Sequence, residues 1–176
     1  MANRSKKAVI SARIDPYLKA GLELAATSQK EKIVALLEYG IRGVLGTILV
    51  EDPFGEGSEK QTSFALFFNN VWSEDEVVYK MRLGYLGEKF ADKVDADMAT
   101  LVVKDDYFKG DFDLFGDLNG NAKEMGLVPP TVLINLDLVR AEWDTIFGYV
   151  LFVHRNRGLL SNYHDFKKMV ENSRSQ

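Results

Sequence analysis

The chain has no cysteine in its 176 residues, which excludes disulfides and thiolate metal sites. Histidine is nearly as scarce, with only His154 and His164. A two-His metal site would need a third ligand from elsewhere, and roles at a helix end or on the surface suit the pair better. No apolar run approaches the ~18–20 residues that span a bilayer. No apolar signal-peptide core follows the basic N-terminus. These absences lead to the expectation of a cytoplasmic protein with no membrane partner. Phenylalanine is missing from the first 53 positions, although the chain holds 11 in all. The large core therefore belongs to the later part of the chain.

What is present is ordinary in bulk: 46% hydrophobic and 27% charged residues, the composition of a globular protein. The length suits one medium domain or two small ones. Net charge is −4, but it is unevenly placed. Residues 1–46 hold eight Lys or Arg and four acids, giving +4. The other 130 hold 14 basic and 22 acidic residues, giving −8. A small basic module joined to an acidic body is the simplest organisation.

The first fifteen residues carry Arg4, Lys6, Lys7 and Arg13, and their only acid is Asp15. From Ala8 the pattern alternates. Ala8, Ile10, Ala12 and Ile14 share one face, and Lys7, Val9, Ser11 and Arg13 share the other. Period two with one apolar face predicts a half-buried strand. Asp15-Pro16 is a helix start, with Asp as N-cap and Pro in the first turn. A short helix over about 16–26 follows. Ser28 with Glu31 three residues on reads as a capping box. Beyond it Ile33, Leu36, Leu37, Gly40, Ile41 and Val44 trace a helical stripe to about Leu45.

Basic strand, short helix, turn, longer helix: this order resembles the ribbon-helix-helix family of DNA-binding proteins, the Arc/MetJ class. The matching residues are Ala8–Ile14 for the strand and Ile14–Leu18 for the turn into the first helix. Leu22 and Ala25 match that helix, Ser28–Glu31 the inter-helix turn, and Ile33–Leu45 the second helix. The likeness covers about 40 of 176 residues. It implies a dimer whose two strands pair antiparallel and enter the major groove of double-stranded DNA. Val9, Ser11 and Arg13 would then meet base edges, Arg13 by a bidentate bond to guanine. Amides near Ser28 and Gln29 would clamp a phosphate. Arg4, Lys6, Lys7, Lys30 and Lys32 would add sequence-independent attraction.

Residues 47–63 start apolar and become a linker, with Gly55, Gly57 and Ser58 supplying flexibility. The body, 64–176, reads as mostly helical. Phe64–Phe68 suits strand or buried helix equally. Ser73 and Glu76 predict a helix over about 74–93. Residues 98–108 are ambiguous, and 105–120 read as loops or a hairpin. Pro129-Pro130 punctuates the chain. A long helix fits about 135–154, with Val139, Trp143, Ile146, Phe147, Val150 and Leu151 inward. Gly158 stops it, and a last helix fits about 162–172.

Other motifs carry little. Asp117–Asn121 resembles the start of a calcium loop, but Ala122 stands where Gly is needed and Val128 where Glu is needed. The glycines at 55 and 57 lack the third glycine of a dinucleotide fingerprint. Ser161 and His164 lack a nucleophile elbow. No catalytic constellation, metal site or cofactor motif emerges. The reading is a mainly α (α+β) chain: a dimeric ribbon-helix-helix module over 1–46, a linker over 47–63, and an acidic, mostly helical oligomerisation or effector domain over 64–176. The expected function is non-enzymatic, sequence-specific DNA binding, in transcriptional repression or in plasmid or phage DNA maintenance. The alternative is an assembly protein whose N-terminal strand pairs with a partner strand.

Overall fold

The computed structural model describes residues 9–54, 60–116, 127–156 and 162–174. The chain is mainly helical, with eight α-helices and two short antiparallel strand pairs among the described residues. It divides into two compact units, 1–47 and 48–176. Among the described residues no helix is long and apolar enough to cross a membrane.

The first unit is a helical hairpin, α1 (Pro16–Gln29) and α2 (Ile33–Thr47). Asp15 caps α1 as its sequence predicts, its carboxylate accepting the Tyr17 N–H at 2.7 Å. The helix runs one turn past the expected end. Ser28 lies inside that turn, its hydroxyl donating to the Ala25 carbonyl at 2.9 Å. The expected capping box of Ser28 and Glu31 is therefore not formed, because the hydroxyl is spent on its own helix. Lys30 ends α1 in the left-handed region, with φ 55°. Its N–H bonds the Thr27 carbonyl, and the Glu31 N–H bonds that of Ala26, the pairing of a Schellman turn.

Residues 9–15 adopt neither helix nor strand, and the first strand of the chain follows both helices. The expected strand over 8–14 is thus not formed within one chain. Its backbone groups would need a partner strand to bond. Ala8 lies outside the described residues.

In the second unit, β1 (Leu49–Glu51) pairs antiparallel with β2 (Gln61–Ser63). The segment read as linker thus contains a strand pair, while Gly55, Gly57 and Ser58 lie outside the described residues. Phe64–Val71 forms α3, capped by Ser63. Of the single helix expected over 74–93 only α4 (Glu76–Tyr85) forms, and α5 (Lys93–Lys104) makes the first part of the ambiguous stretch 98–108 helical. The break falls at Gly87, whose φ of +83° suits a residue without Cβ. Asp75, not Ser73, caps α4, accepting the Val77 and Val78 N–H groups.

A 3-10 turn (Asp106–Phe108) leads to β3 (Phe112–Asp113), which pairs with β4 (Leu133–Ile134). The near-match to a calcium loop at 117–121 lies outside the described residues. The long helix expected over 135–154 is broken at Glu142 into α6 (Leu136–Ala141) and α7 (Trp143–Arg155). Phe147 is 45% exposed rather than inward, whereas Val139, Ile146 and Val150 are buried as expected. Gly158 lies outside the described residues, and α8 (Tyr163–Arg174) is the last helix.

The core of this unit gathers Met81, Met98, Val102, Phe108, Leu114, Ile134, Val139 and Ile146, all at most 1% exposed. α4 crosses α5 at Gly84, where a Cβ would lie 2.2 Å from the Asp95 carbonyl oxygen. Only a residue without a side chain allows that approach. Arg82 is buried too. Its guanidinium donates to the carbonyls of Leu114 (2.7 Å) and Trp72 (3.0 Å) and lies over the Phe115 ring. A buried cation thereby satisfies two carbonyls at segment ends.

Candidate nucleic-acid interface

The first unit hides almost none of its apolar surface. Ala26 is its single buried hydrophobic residue among those described. Ile10 is 81% exposed, Leu18 57% and Ile41 50%, and Ile14, Ile33 and Leu37 are exposed as well. These six are the positions the periodicity assigns to the inner faces of the strand and the two helices. Glycines 21, 40, 43 and 46 face open space, with no atom within 4 Å of an added Cβ.

The residues expected at DNA fall into three groups. Arg4, Lys6 and Lys7 lie outside the described residues. Val9, Ser11 and Arg13 lie on the exposed segment before α1. Arg13 makes no ion pair or hydrogen bond among the described residues. Ser28, Gln29 and Lys30 sit at the C-terminal end of α1 rather than the start of α2. That end carries carbonyl groups and a negative partial charge, so Ser28 and Gln29 do not supply the free amides expected of them.

The start of α2 supplies them instead. The Lys32 carbonyl accepts from the Ala35 and Leu36 N–H groups at 2.9 and 3.3 Å. The Ile33 and Val34 N–H groups have no acceptor among the described residues. No acid occupies the first turn of α2, and Lys30, Glu31 and Lys32 precede it. This end keeps its positive partial charge and two free donors, a combination that suits a phosphate. The sequence reading expected free amides near Ser28 and Gln29 because it took Ser28 for a helix cap, whereas Ser28 lies inside α1.

Two polar groupings in the second unit escaped sequence reasoning. Glu142 accepts from the Tyr107 hydroxyl, the Tyr163 hydroxyl and Lys167 Nζ, each at 2.6 Å. Burial pushes its carboxyl up, but these three donors outweigh it and hold the group below its ordinary value. Burial and the Glu142 carboxylate raise the Tyr163 hydroxyl, and the bond to Glu142 raises the Lys167 ammonium. Every member has a partner, so the group reads as a structural tie. In the second grouping, His154 Nε2 lies 2.6 Å from Asp97 Oδ2. The other histidine packs elsewhere, with His164 at 4.8 Å from the Tyr107 ring. Among the described residues no three His, Asp or Glu side chains converge on a metal-sized space.

No protein-family model, no curated protein and no solved structure matches this chain.

Proposed function

We propose that this protein binds double-stranded DNA as a dimer formed through residues 8–45, in transcriptional repression or in plasmid or phage DNA maintenance. The observation that carries the reading is the exposed apolar stripe of the first unit, where one hydrophobic residue is buried and six patterned ones are not. A strand segment and two short helices are far too small to bury a core unaided. A second copy gives that stripe a partner, and the alternating segment 8–14 of each copy a strand to pair with.

Such pairing turns Val9, Ser11 and Arg13 to one outer face, the arrangement that reads base edges in the major groove. The Ile33 and Val34 amides, with Lys30 and Lys32 beside them, would hold a phosphate. The charge of +4 over residues 1–46 supports the same role.

Selection from a random duplex pool tests this reading. The bound sequences should share two inverted half-sites, and Arg13→Ala should relax base preference by about 1–3 kcal/mol per contact. Recovery of no duplex above background would favour the assembly-protein alternative.

A further inference from the structure

We propose that the aromatic row formed by α3, Trp72 and α4 docks an arginine-bearing peptide segment of a partner protein. This surface belongs to the second unit and does not depend on the DNA-binding reading. α3 divides its aromatic and apolar side chains between two faces. Phe67 and Val71 are buried, whereas Phe64, Phe68 and Trp72 recur at intervals of four along the other face. Their rings stack in sequence, with centroids 5.8 Å apart at both steps. Tyr79 of α4 ends the row, its ring 5.3 Å from that of Trp72 and edge-on to it. Phe64, Phe68 and Tyr79 are half-buried, and Trp72 is 51% exposed. A row of rings ending in an indole left in water is the kind of surface that partners cover.

Charge selects the occupant. Glu74 and Glu76 follow Trp72 by two and four residues. Asp75 and Glu76 stand one turn before Tyr79, on its side of α4. Arg140 pairs with Asp75 and Asp137, and Lys80 pairs with Glu76. Glu74 is exposed and has no partner among the described residues. Four carboxylates thus stand with two cations at the Trp72–Tyr79 end, leaving two negative charges over. Single-stranded nucleic acid also stacks on aromatic rows, but its phosphates would meet that surplus. An arginine guanidinium is planar and stacks on an indole, the ring that attracts a cation most strongly. Its charge meets the surplus carboxylates with the favourable sign.

The test titrates the full chain with a blocked pentapeptide of alternating arginine and glycine. NMR follows the Trp72 indole N–H and the Tyr79 ring resonances. Matched peptides carry lysine or glutamate in place of arginine. The arginine peptide should give saturable shifts at millimolar concentration or below. The lysine peptide should bind severalfold more weakly, because an ammonium cannot stack as a guanidinium does. The glutamate peptide should give no saturation. Trp72→Ala should weaken the arginine peptide about fivefold or more, read on Tyr79. Glu74→Gln removes a carboxylate with no partner among the described residues and should weaken it about twofold to fivefold, which keeps the test decisive if Trp72→Ala loosens α3. Shifts that stay linear, that are equal for the arginine and glutamate peptides, or that persist unchanged in both variants would overturn the proposal. So would saturation by oligothymidine in place of the peptide, or an indole signal that moves with protein concentration alone, which would assign the row to a second copy.

Discussion

Lys167 reaches Glu142 from the last helix, its Nζ 2.6 Å from Oε1 and 2.8 Å from the Tyr107 hydroxyl. The contact ties α8 to the break between α6 and α7 and to the 3-10 turn. Lys167→Met keeps most of the side chain's packing but removes the cation from a largely buried carboxylate. The loss should be about 1–3 kcal/mol, the cost of leaving such an acceptor short of a donor. Urea unfolding followed by circular dichroism measures it. An unchanged midpoint would mean that water replaces the lysine at no cost.

The same grouping sets a pH window. The Glu142 carboxyl is held below its ordinary 4.5 in the folded chain. Its contribution is complete above that value and is lost as pH falls through the lower folded one. Tyr163 and Lys167 are held above their ordinary 10.0 and 10.5. Their contributions are complete below those values and are lost as pH rises through the higher folded ones. Melting temperature against pH should therefore show a plateau with an acid and an alkaline limb. Glu142→Gln should flatten the acid limb, and a limb of unchanged steepness would remove Glu142 from it.

Gly84→Ala should separate α4 from α5. The added methyl would meet the Asp95 carbonyl oxygen at 2.2 Å and Ala99 Cβ at 2.8 Å. The first of these is backbone and cannot rotate away. Overpacking of this kind costs about 1–3 kcal/mol, read as a lower urea midpoint. A neutral substitution would show that the two helices slide apart freely.

Lys30→Gly should act on the first unit in two ways. A non-glycine residue in the left-handed region carries a penalty of about 1–2 kcal/mol, partly offset by the extra freedom of glycine in the unfolded chain. Amide exchange in α1 and α2 should therefore slow. Loss of the charge should also reduce the salt dependence of DNA binding by about one unit per protomer. Faster exchange would mean that the lysine side chain does more for the turn than its backbone costs.

The sequence was most legible where structure is decided locally. Asp15 and Pro16 start α1 as read, because cap and helix touch within two residues. Ser28 misled because a hydroxyl can bond its own helix as readily as cap the next one. The single helix expected over 74–93 hid the turn at Gly87, and the one over 135–154 hid the break at Glu142. Glu142 answers to Tyr107, 35 residues before it, and to Tyr163 and Lys167, 21 and 25 after it. Asp97 and His154 are 57 residues apart. No local pattern announces either grouping. Pairing of residues 8–14 is illegible for a different reason, since its partner would be a second molecule.

The central claim, that the first unit needs a second copy and meets DNA, is tested most directly by sedimentation velocity with a short labelled duplex. The full chain is added at micromolar concentration in about 50 mM salt and again in about 200 mM. The account predicts a duplex carrying two chains, or a multiple of two, at the lower salt and marked dissociation at the higher. Free duplex beside a monomeric protein at the lower salt would contradict both the dimer and the DNA reading.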